Sequence, residues 1–388
     1  MYLADFISFK FLEGPVIYPN DTLFPSLIID QNIRVNYTST VLVYAIDNKD
    51  VQKAVKCAVE LKRDIVPRSG GHSYEKYGLG GRNNVIVLDL TFVNGITINS
   101  ETETAKIGAG NRLGNVYNQL NQAGFLIPAG LCPSVGIGGH AFGGGFGYYS
   151  RKYGLACDNI ISMEMVDAKG DILQVDSILN SNLYFALRGA GGGSYGIVTY
   201  FVFRIHRTPP QVTYMELAFN RANMTQVYQL FDAFNEVGPL LDDGIALKMR
   251  LNKGSLSITG LYLVVNPVHH PNFFKAKSFV VKGKGLTRQA IKVLVDFLNG
   301  AYCKILASFD LFEQNTKCTD EINAFGRNFQ LNFTSDESYQ DFIDRDLDDW
   351  QTRYYGDIFE KLANIKRKYD PNNLFNFLIV SLYRFRKF

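Results

Sequence analysis

Residues 67–75 read PRSGGHSYE, and residues 130–147 read GLCPSVGIGGHAFGGGFG. Each is a glycine loop carrying one side chain able to bond an electrophile, His72 in the first and Cys132 in the second. Glycine lets a backbone approach a ligand closely and turns N–H groups toward an anion such as a diphosphate. Neutral imidazole and thiolate are nucleophiles of the kind that bond an electron-poor ring. Taken singly, both residues also have ordinary readings: a small buried cysteine and a surface or hydrogen-bonded histidine. The letters Gly136-Ile137-Gly138-Gly139-His140-Ala141 spell the G-x-G-x-x-A of a nicotinamide fingerprint. Its context is wrong, because Pro128 and Pro133 precede it in place of a strand and no βαβ unit with a ribose-binding acid follows.

Outward from these loops, the first third alternates strands with helices. A β-branched run at Thr40–Tyr44 predicts a strand, and Val51, Ala54, Val55, Ala58 and Leu61 recur at helical spacing after a cap at Asn48 or Asp50. Strands are expected at Asn84–Leu90 and Ala105–Gly108, then a helix at Leu113–Ala123 ended by Gly124. Further strands are expected at Ile161–Val166, Ile172–Val175 and Ile197–Ile205, around a third glycine run at Gly189–Gly196. Pro209-Pro210 marks a boundary. Beyond it, a strand at Gln211–Phe219, a helix at Thr225–Val237 and a hairpin of Ile245–Leu251 with Leu256–Val265 form an antiparallel lobe. Helices at Leu286–Leu298 and Tyr355–Lys368 follow, the last ended by Asp370-Pro371.

Composition sets the outer bounds. With 46% hydrophobic and 20% charged residues in 388, the chain reads as globular with two or three lobes. A net charge of +3 without a basic, aromatic-interleaved run argues against nucleic acid. No apolar run approaches the roughly 20 residues of a membrane helix. Sequons at Asn20, Asn36, Asn223 and Asn332 favour secretion, whereas Asp5, Lys10 and Glu13 interrupt any apolar leader before Pro15. Five cysteines have no metal-ligand spacing, and Cys303 and Cys318 form a disulfide pair only if geometry and export allow it. The five histidines form no H-x-x-x-H pair, and Gly193-Ser194-Tyr195-Gly196 lacks the G-x-S-x-G elbow, so metal catalysis and nucleophilic hydrolysis are both unsupported.

The two opening strings, with YGLACDNI (153–160), LYFALRGAGGGSYGIVT (183–199) and YYGDIFEKLANIKRKYDPNNLF (354–375), resemble the berberine bridge enzyme-like FAD-linked oxidases of the vanillyl-alcohol-oxidase superfamily. The resemblance implies an α+β fold: a two-lobed FAD-binding PCMH-type domain plus a shortened antiparallel-sheet substrate domain. The corresponding divisions are an N-terminal segment (1–37), the FAD domain (38–208), the substrate domain (209–345) and a C-terminal segment (346–388) returning to the FAD domain. It implies bicovalent FAD, with His72 on the flavin 8α-methyl and Cys132 on C6. Arg68, Ser69, Gly70, Gly71 and Ser73 would lie at the diphosphate loop, with further cofactor contacts from Gly136, Gly138, Gly139, His140, Gly143, Gly144 and Gly145. Val198 would lie near the adenine. Tyr74 matches a tyrosine that enters the active site of many members, and its other reading is a packed aromatic. Val135 matches a gate position where valine accompanies oxygen reactivity and leucine accompanies dehydrogenases.

The implied reaction is oxidation of an alcohol or hemiacetal carbon of a small-molecule or oligosaccharide substrate, with O2 as the final acceptor, by a monomer without nucleic-acid or membrane partners. The base falls on a departure from the family pattern. Its Y-x-N-Y segment reads Tyr339-Gln340-Asp341-Phe342 here, leaving Tyr339 as the available phenol. Ile358 replaces a usual asparagine, Gly326 a usual histidine, and LIVSLYRFRKF the usual chain ending. The contrasting reading is therefore a flavin-binding protein with an eroded substrate lobe and little turnover.

Overall fold

The computed structural model of the protein describes residues 9, 11–30, 37–209, 214–220, 223–241, 243–252, 255–260, 287–293, 324, 338, 344 and 346–376. Tyr339, Cys303, Cys318, Asn36, Asn332, Gly326 and the rest of the stretch around it lie outside the described residues.

The predicted opening unit forms as a parallel pair with a strand inserted between its members. Strands β1 (Val16–Ile17), β2 (Val41–Tyr44), β3 (Ile65–Arg68) and β4 (Ile86–Asp89) make one sheet in the order β1-β2-β4-β3. β4 runs parallel to both β2 and β3, and β1 is antiparallel to β2. All four residues of β4 are buried, which explains why it reads as an unbroken apolar run. Helix α1 (Asn48–Glu60) crosses from β2 to β3 and buries Val51, Ala54, Val55 and Ala58, the residues whose spacing predicts it. Its cap differs from expectation. Asp47, in extended conformation, accepts from the Asp50 N–H, while the buried Asp50 carboxylate accepts instead from the N–H groups of Glu13, Gly14 and Ile46.

A second, antiparallel sheet holds β5 (Ile96–Asn99), β6 (Thr104–Gly108), β8 (Ile160–Val166), β9 (Ile172–Asp176) and β10 (Ile197–Arg204) in the order β5-β6-β10-β8-β9. β5 is an addition to the sequence expectation; at the sheet edge its Ile96 and Ile98 turn to the core while Thr97 and Asn99 are exposed. Helix α2 (Leu113–Gln122) matches its prediction, with Ala123 at the cap and Gly124 in the left-handed region at φ 80°. The short pair β7 (Phe125–Leu126) and β11 (His206–Arg207) forms a neck, reinforced by the Thr208 N–H on Gly124 O at 2.9 Å. Both glycine-rich stretches beyond residue 127 thus belong to one excursion whose ends are tied together.

The antiparallel lobe also forms. Strands β12 (Met215–Asn220), β13 (Leu247–Asn252) and β14 (Ser255–Gly260) lie in the order β12-β14-β13, with Asn252 facing Ser255 across the hairpin turn. Helix α5 (Met224–Val237), following α3 (Ile137–Phe142) and α4 (Ser181–Leu187), starts from an Asn223–Gln226 capping box. Val227, Leu256, Ile258 and Ile291 give this lobe a core separate from the main one. The lobe docks beside the second glycine loop, through Tyr148 Oη to Thr259 Oγ1 at 2.8 Å and Arg151 Nη1 to Gly238 O at 2.8 Å.

The closing helix departs from the single element expected. It is α6 (Trp350–Tyr355) followed by α7 (Phe359–Tyr369), interrupted at Gly356 with φ 50°. α7 buries Lys366 and Asp370 together, each 0% exposed. Lys366 Nζ donates to Asp370, to Ser194 O and to Phe375 O, and Asp370 accepts from the Leu374 and Phe375 N–H groups. The chain end then reaches the first sheet, with Ile65 N–H on Leu374 O and Arg82 Nη1 on Asn376 O at 2.7 Å. A buried charge left without its partner is strongly unfavourable. Lys366→Met, which strands Asp370, is therefore expected to lower unfolding free energy by about 3–5 kcal/mol, read as a lower urea midpoint. A change within ~0.5 kcal/mol, the range of an ordinary surface substitution, would contradict this role.

Candidate functional site

β3 ends at Arg68, and the chain turns through Ser69, Gly70 and Gly71 to His72. The second loop, from Gly130 to Gly136, comes to rest against it. A Cβ built on Gly70 would stand 2.1 Å from Gly136 N, and one on Gly136 would stand 2.2 Å from Gly70 N. Two backbones in such contact admit no side chain, so both positions must be glycine for the loops to meet.

Arg112 locks that contact. Its Nη1 donates to Gly70 O at 3.0 Å and to Ser134 O at 2.6 Å, one carbonyl from each loop. Burial, and next the nearby Arg68 cation, draw its guanidinium below the ordinary value. Gly130 is held twice, its N–H donating to His140 Nε2 at 2.8 Å and its carbonyl accepting from Tyr117 Oη. His140 therefore acts through its ring on the Cys132 loop, and its Nε2 is an acceptor there.

Between these restraints the two nucleophiles converge on a single hydroxyl. His72 Nε2 lies 2.9 Å from Ser134 Oγ, and Cys132 Sγ lies 3.3 Å from the same oxygen. Ser134 is buried, His72 is half-buried and Cys132 is exposed, so the cysteine sulfur faces outward from a supported base. Val135, partly buried against the core, is fixed by its backbone: its N–H donates to Cys132 O and its carbonyl accepts from Leu113 N–H. Tyr74 is half-buried two residues beyond His72.

Other expected contacts divide into backbone and side chain. The Arg68 guanidinium does not point along the loop. It donates to Leu27 O and Ile29 O and pairs with Asp30 at 3.0 Å and Asp89 at 3.4 Å, while the Arg68 backbone stays in the β3–β4 ladder, its carbonyl accepting from Leu90 N–H. Burial pushes the Asp30 carboxyl up to about 6 despite that cation. The Ser69 hydroxyl donates to Ala109 O at 2.6 Å, and the Ser73 hydroxyl accepts from Tyr77 N–H at 3.0 Å, so both are used in holding the turn. Gly144 and Gly145 offer their carbonyls to Cys157 and Ala156 N–H groups, and a Cβ on Gly145 would meet the Ala156 Cβ at 2.6 Å. Val198 is buried in β10 opposite Met165, and Gly143 caps α3.

These arrangements suit an extended anionic cofactor bonded at one end. The N–H groups of Gly70, Gly71 and Gly139 enter no hydrogen bond among the described residues, and a Cβ on the exposed Gly139 would meet nothing within 4 Å. Among the described residues no group of side chains has metal-ligand geometry, and no helix is long and apolar enough to cross a membrane. The sequence reading missed Ser134, Arg112 and Tyr117. Ser134 sits inside the quoted motif, but nothing in its type signals that it faces residue 72.

The glycines make separable predictions. Gly136→Ala forces the loops apart and is expected to destabilise the protein by about 1–3 kcal/mol. Gly139→Ala is expected to keep the melting temperature while lowering flavin absorbance of the purified protein, because its new methyl group enters only open space. Equal stability losses from both substitutions would contradict this division.

Residues 39–176 match the family model described as FAD binding domain, and residues 338–378 match that described as Berberine and berberine like. A xylooligosaccharide oxidase of Thermothelomyces thermophilus is 35% identical over 258 residues, 65% of this chain and 51% of that protein; the match thus spans about half of that relative's length. Wild-type BBE-like 1 of Physcomitrella patens has the same fold, with a TM-score of 0.90 and 29% identity across 98% of this chain and 99% of that one. The glucooligosaccharide oxidase of Acremonium strictum, described with a 6-S-cysteinyl, 8α-N1-histidyl FAD, shares the fold at a TM-score of 0.87 and 20% identity over 97% and 98% of the two chains. The paired glycine loops, the C-terminal return and the α+β fold around them have one common explanation: the chain pairs an FAD-binding domain with a berberine-like C-terminal segment and is similar in sequence and fold to the berberine bridge enzyme-like FAD-linked oxidoreductases.

Proposed function

We propose that the protein is an FAD-dependent oxidase whose flavin is bonded to both His72 and Cys132. It oxidises an alcohol or hemiacetal carbon of a carbohydrate and passes the electrons to O2, giving H2O2. The observation that carries this reading is the convergence of His72 Nε2 and Cys132 Sγ on Ser134 Oγ, at 2.9 and 3.3 Å. Two nucleophiles brought to one point, beside loops rich in backbone donors, have the chemistry for two bonds to one ring.

FAD, when bound, supplies the hydride acceptor. His72 and Cys132 would hold its ring end, and the Gly71 and Gly139 amides would be available to its anionic part. Bonds at two places hold a ring without walls packed on every side, which suits an open groove and a large substrate; the exposure of Cys132 and Gly139 agrees with this. The names of the xylo- and glucooligosaccharide oxidases support a carbohydrate. Tyr74 is the described candidate for taking the substrate hydroxyl proton, and Tyr339 is the candidate outside the described residues. Val135 is the proposed oxygen gate, held by hydrogen bonds at its N–H and carbonyl.

Denatured protein is expected to carry flavin fluorescence in its gel band. His72→Ala and Cys132→Ala should each retain it through the remaining bond, and the double variant should lose it. A double variant that keeps denaturation-resistant flavin would overturn the assignment of these residues. Anaerobic incubation with oligosaccharides should bleach the holoprotein, and admitting O2 should restore its colour. Flavin that stays oxidised with every sugar would favour instead a flavin-binding protein with little turnover. Val135→Leu should slow the recolouring without changing flavin content.

A further inference from the structure

Ser134 lies 62 positions beyond His72 and two beyond Cys132, yet its single oxygen contacts both. A serine hydroxyl has one proton to donate and two lone pairs to accept with. Two directions of hydrogen bonding therefore connect the three residues. In one, the Cys132 thiol donates to Ser134 and Ser134 donates to His72 Nε2; the other imidazole nitrogen then carries the proton, and the ring has no lone pair left for a new bond. In the other, His72 Nε2–H donates to Ser134 and Ser134 donates to Cys132 Sγ. In a third pattern His72 Nε2–H and the Cys132 thiol both donate to Ser134; only the second direction combines a nucleophilic lone pair on Nδ1 with a sulfur that receives the serine hydrogen bond.

We propose that Ser134 is the positioning residue and proton relay for both flavin attachments, accepting from His72 Nε2–H and donating to Cys132 Sγ. This inference rests on the proposed two-bond attachment. Each link replaces one hydrogen on the flavin and one on the side chain by a new N–C or S–C bond. The two protons and two electrons released per link reduce one O2 to H2O2. The exposed Cys132 thiol first gives its proton to solvent; as the His72 bond forms, the Nε2 proton passes to the Ser134 oxygen and the serine proton to the Cys132 sulfur, which releases it to solvent before forming its own bond. Arg112 keeps this relay in register, because the guanidinium nitrogen that holds Ser134 O also holds Gly70 O, two residues before His72.

The test uses full-length protein from flavin-starved cells, mixed with FAD in air. The His72 and Cys132 peptides are followed separately by mass spectrometry for the FAD adduct, and reversible FAD affinity is measured in parallel. Ser134→Ala is expected to slow both adducts on the order of 100-fold with reversible affinity little changed, and Ser134→Thr, which keeps the hydroxyl, should restore both. A local packing role beside Cys132 would leave the His72 adduct at the wild-type rate, and that result would overturn the proposal. Wild-type protein forming neither adduct would overturn the two-bond reading and this inference together. Wild-type protein forming both, with Ser134→Ala equally fast, would overturn this inference alone.

Discussion

Everything at the site depends on the contact of two backbones at Gly70 and Gly136. With amide nitrogen and Cα atoms closer than any Cβ would allow, the β3 loop and the loop before α3 form one surface. Arg112 then ties the carbonyls of Gly70 and Ser134 across that seam. The result is a rigid support built from segments far apart in the chain, from which His72 and Cys132 extend. Rigidity of this kind fixes the two side chains relative to each other, which is what placement of a cofactor's reactive atom requires.

The rest of the molecule protects that seam from different sides. The β7–β11 neck closes the excursion that includes the second loop, so its position relative to the sheet is not left to a long flexible connection. From the other end of the chain, α7 plants Lys366 beneath the Gly189–Gly196 loop and satisfies Ser194 O, Asp370 and Phe375 O with one ammonium group. Three glycine loops are thereby held by three different devices: backbone contact, an arginine bridge and a buried ion pair. The antiparallel lobe has its own small core and meets the first through Tyr148 and Arg151, next to the second glycine loop.

Much of this was legible beforehand where apolar spacing repeats. The buried faces of α1 and β4 follow from their residue patterns, and the hairpin register follows from a two-residue turn. The misses have physical causes. Asp47 caps α1 because the Asp50 carboxylate is drawn into the core by the Glu13 and Gly14 N–H groups of another segment and by the nearby Ile46 N–H. β5 is four residues long, and its alternation Ile96-Thr97-Ile98-Asn99 is too short to stand out beside the longer runs around it, although both isoleucines pack against the core. Gly356 divides the closing helix by adopting a positive φ, which local helical periodicity does not register. The Arg68 guanidinium is held by Asp30 and Asp89, two buried carboxylates from other segments that its place in the loop motif does not announce.

By itself the sequence placed His72 and Cys132, two side chains of nucleophilic type, in glycine loops whose ordered motifs resemble those of FAD-linked oxidases; residue type alone left both with ordinary readings. Only the tertiary structure decided which glycines serve the chain and which face outward: Gly70, Gly136 and Gly145 are crowded by protein, whereas Gly139 is open. Only the tertiary structure brought Ser134 to both nucleophiles and Arg112 to both loops. The reason is that a side chain's neighbours are set by packing between distant segments. The 62 positions separating His72 from Ser134 contain no local pattern that encodes a 2.9 Å contact.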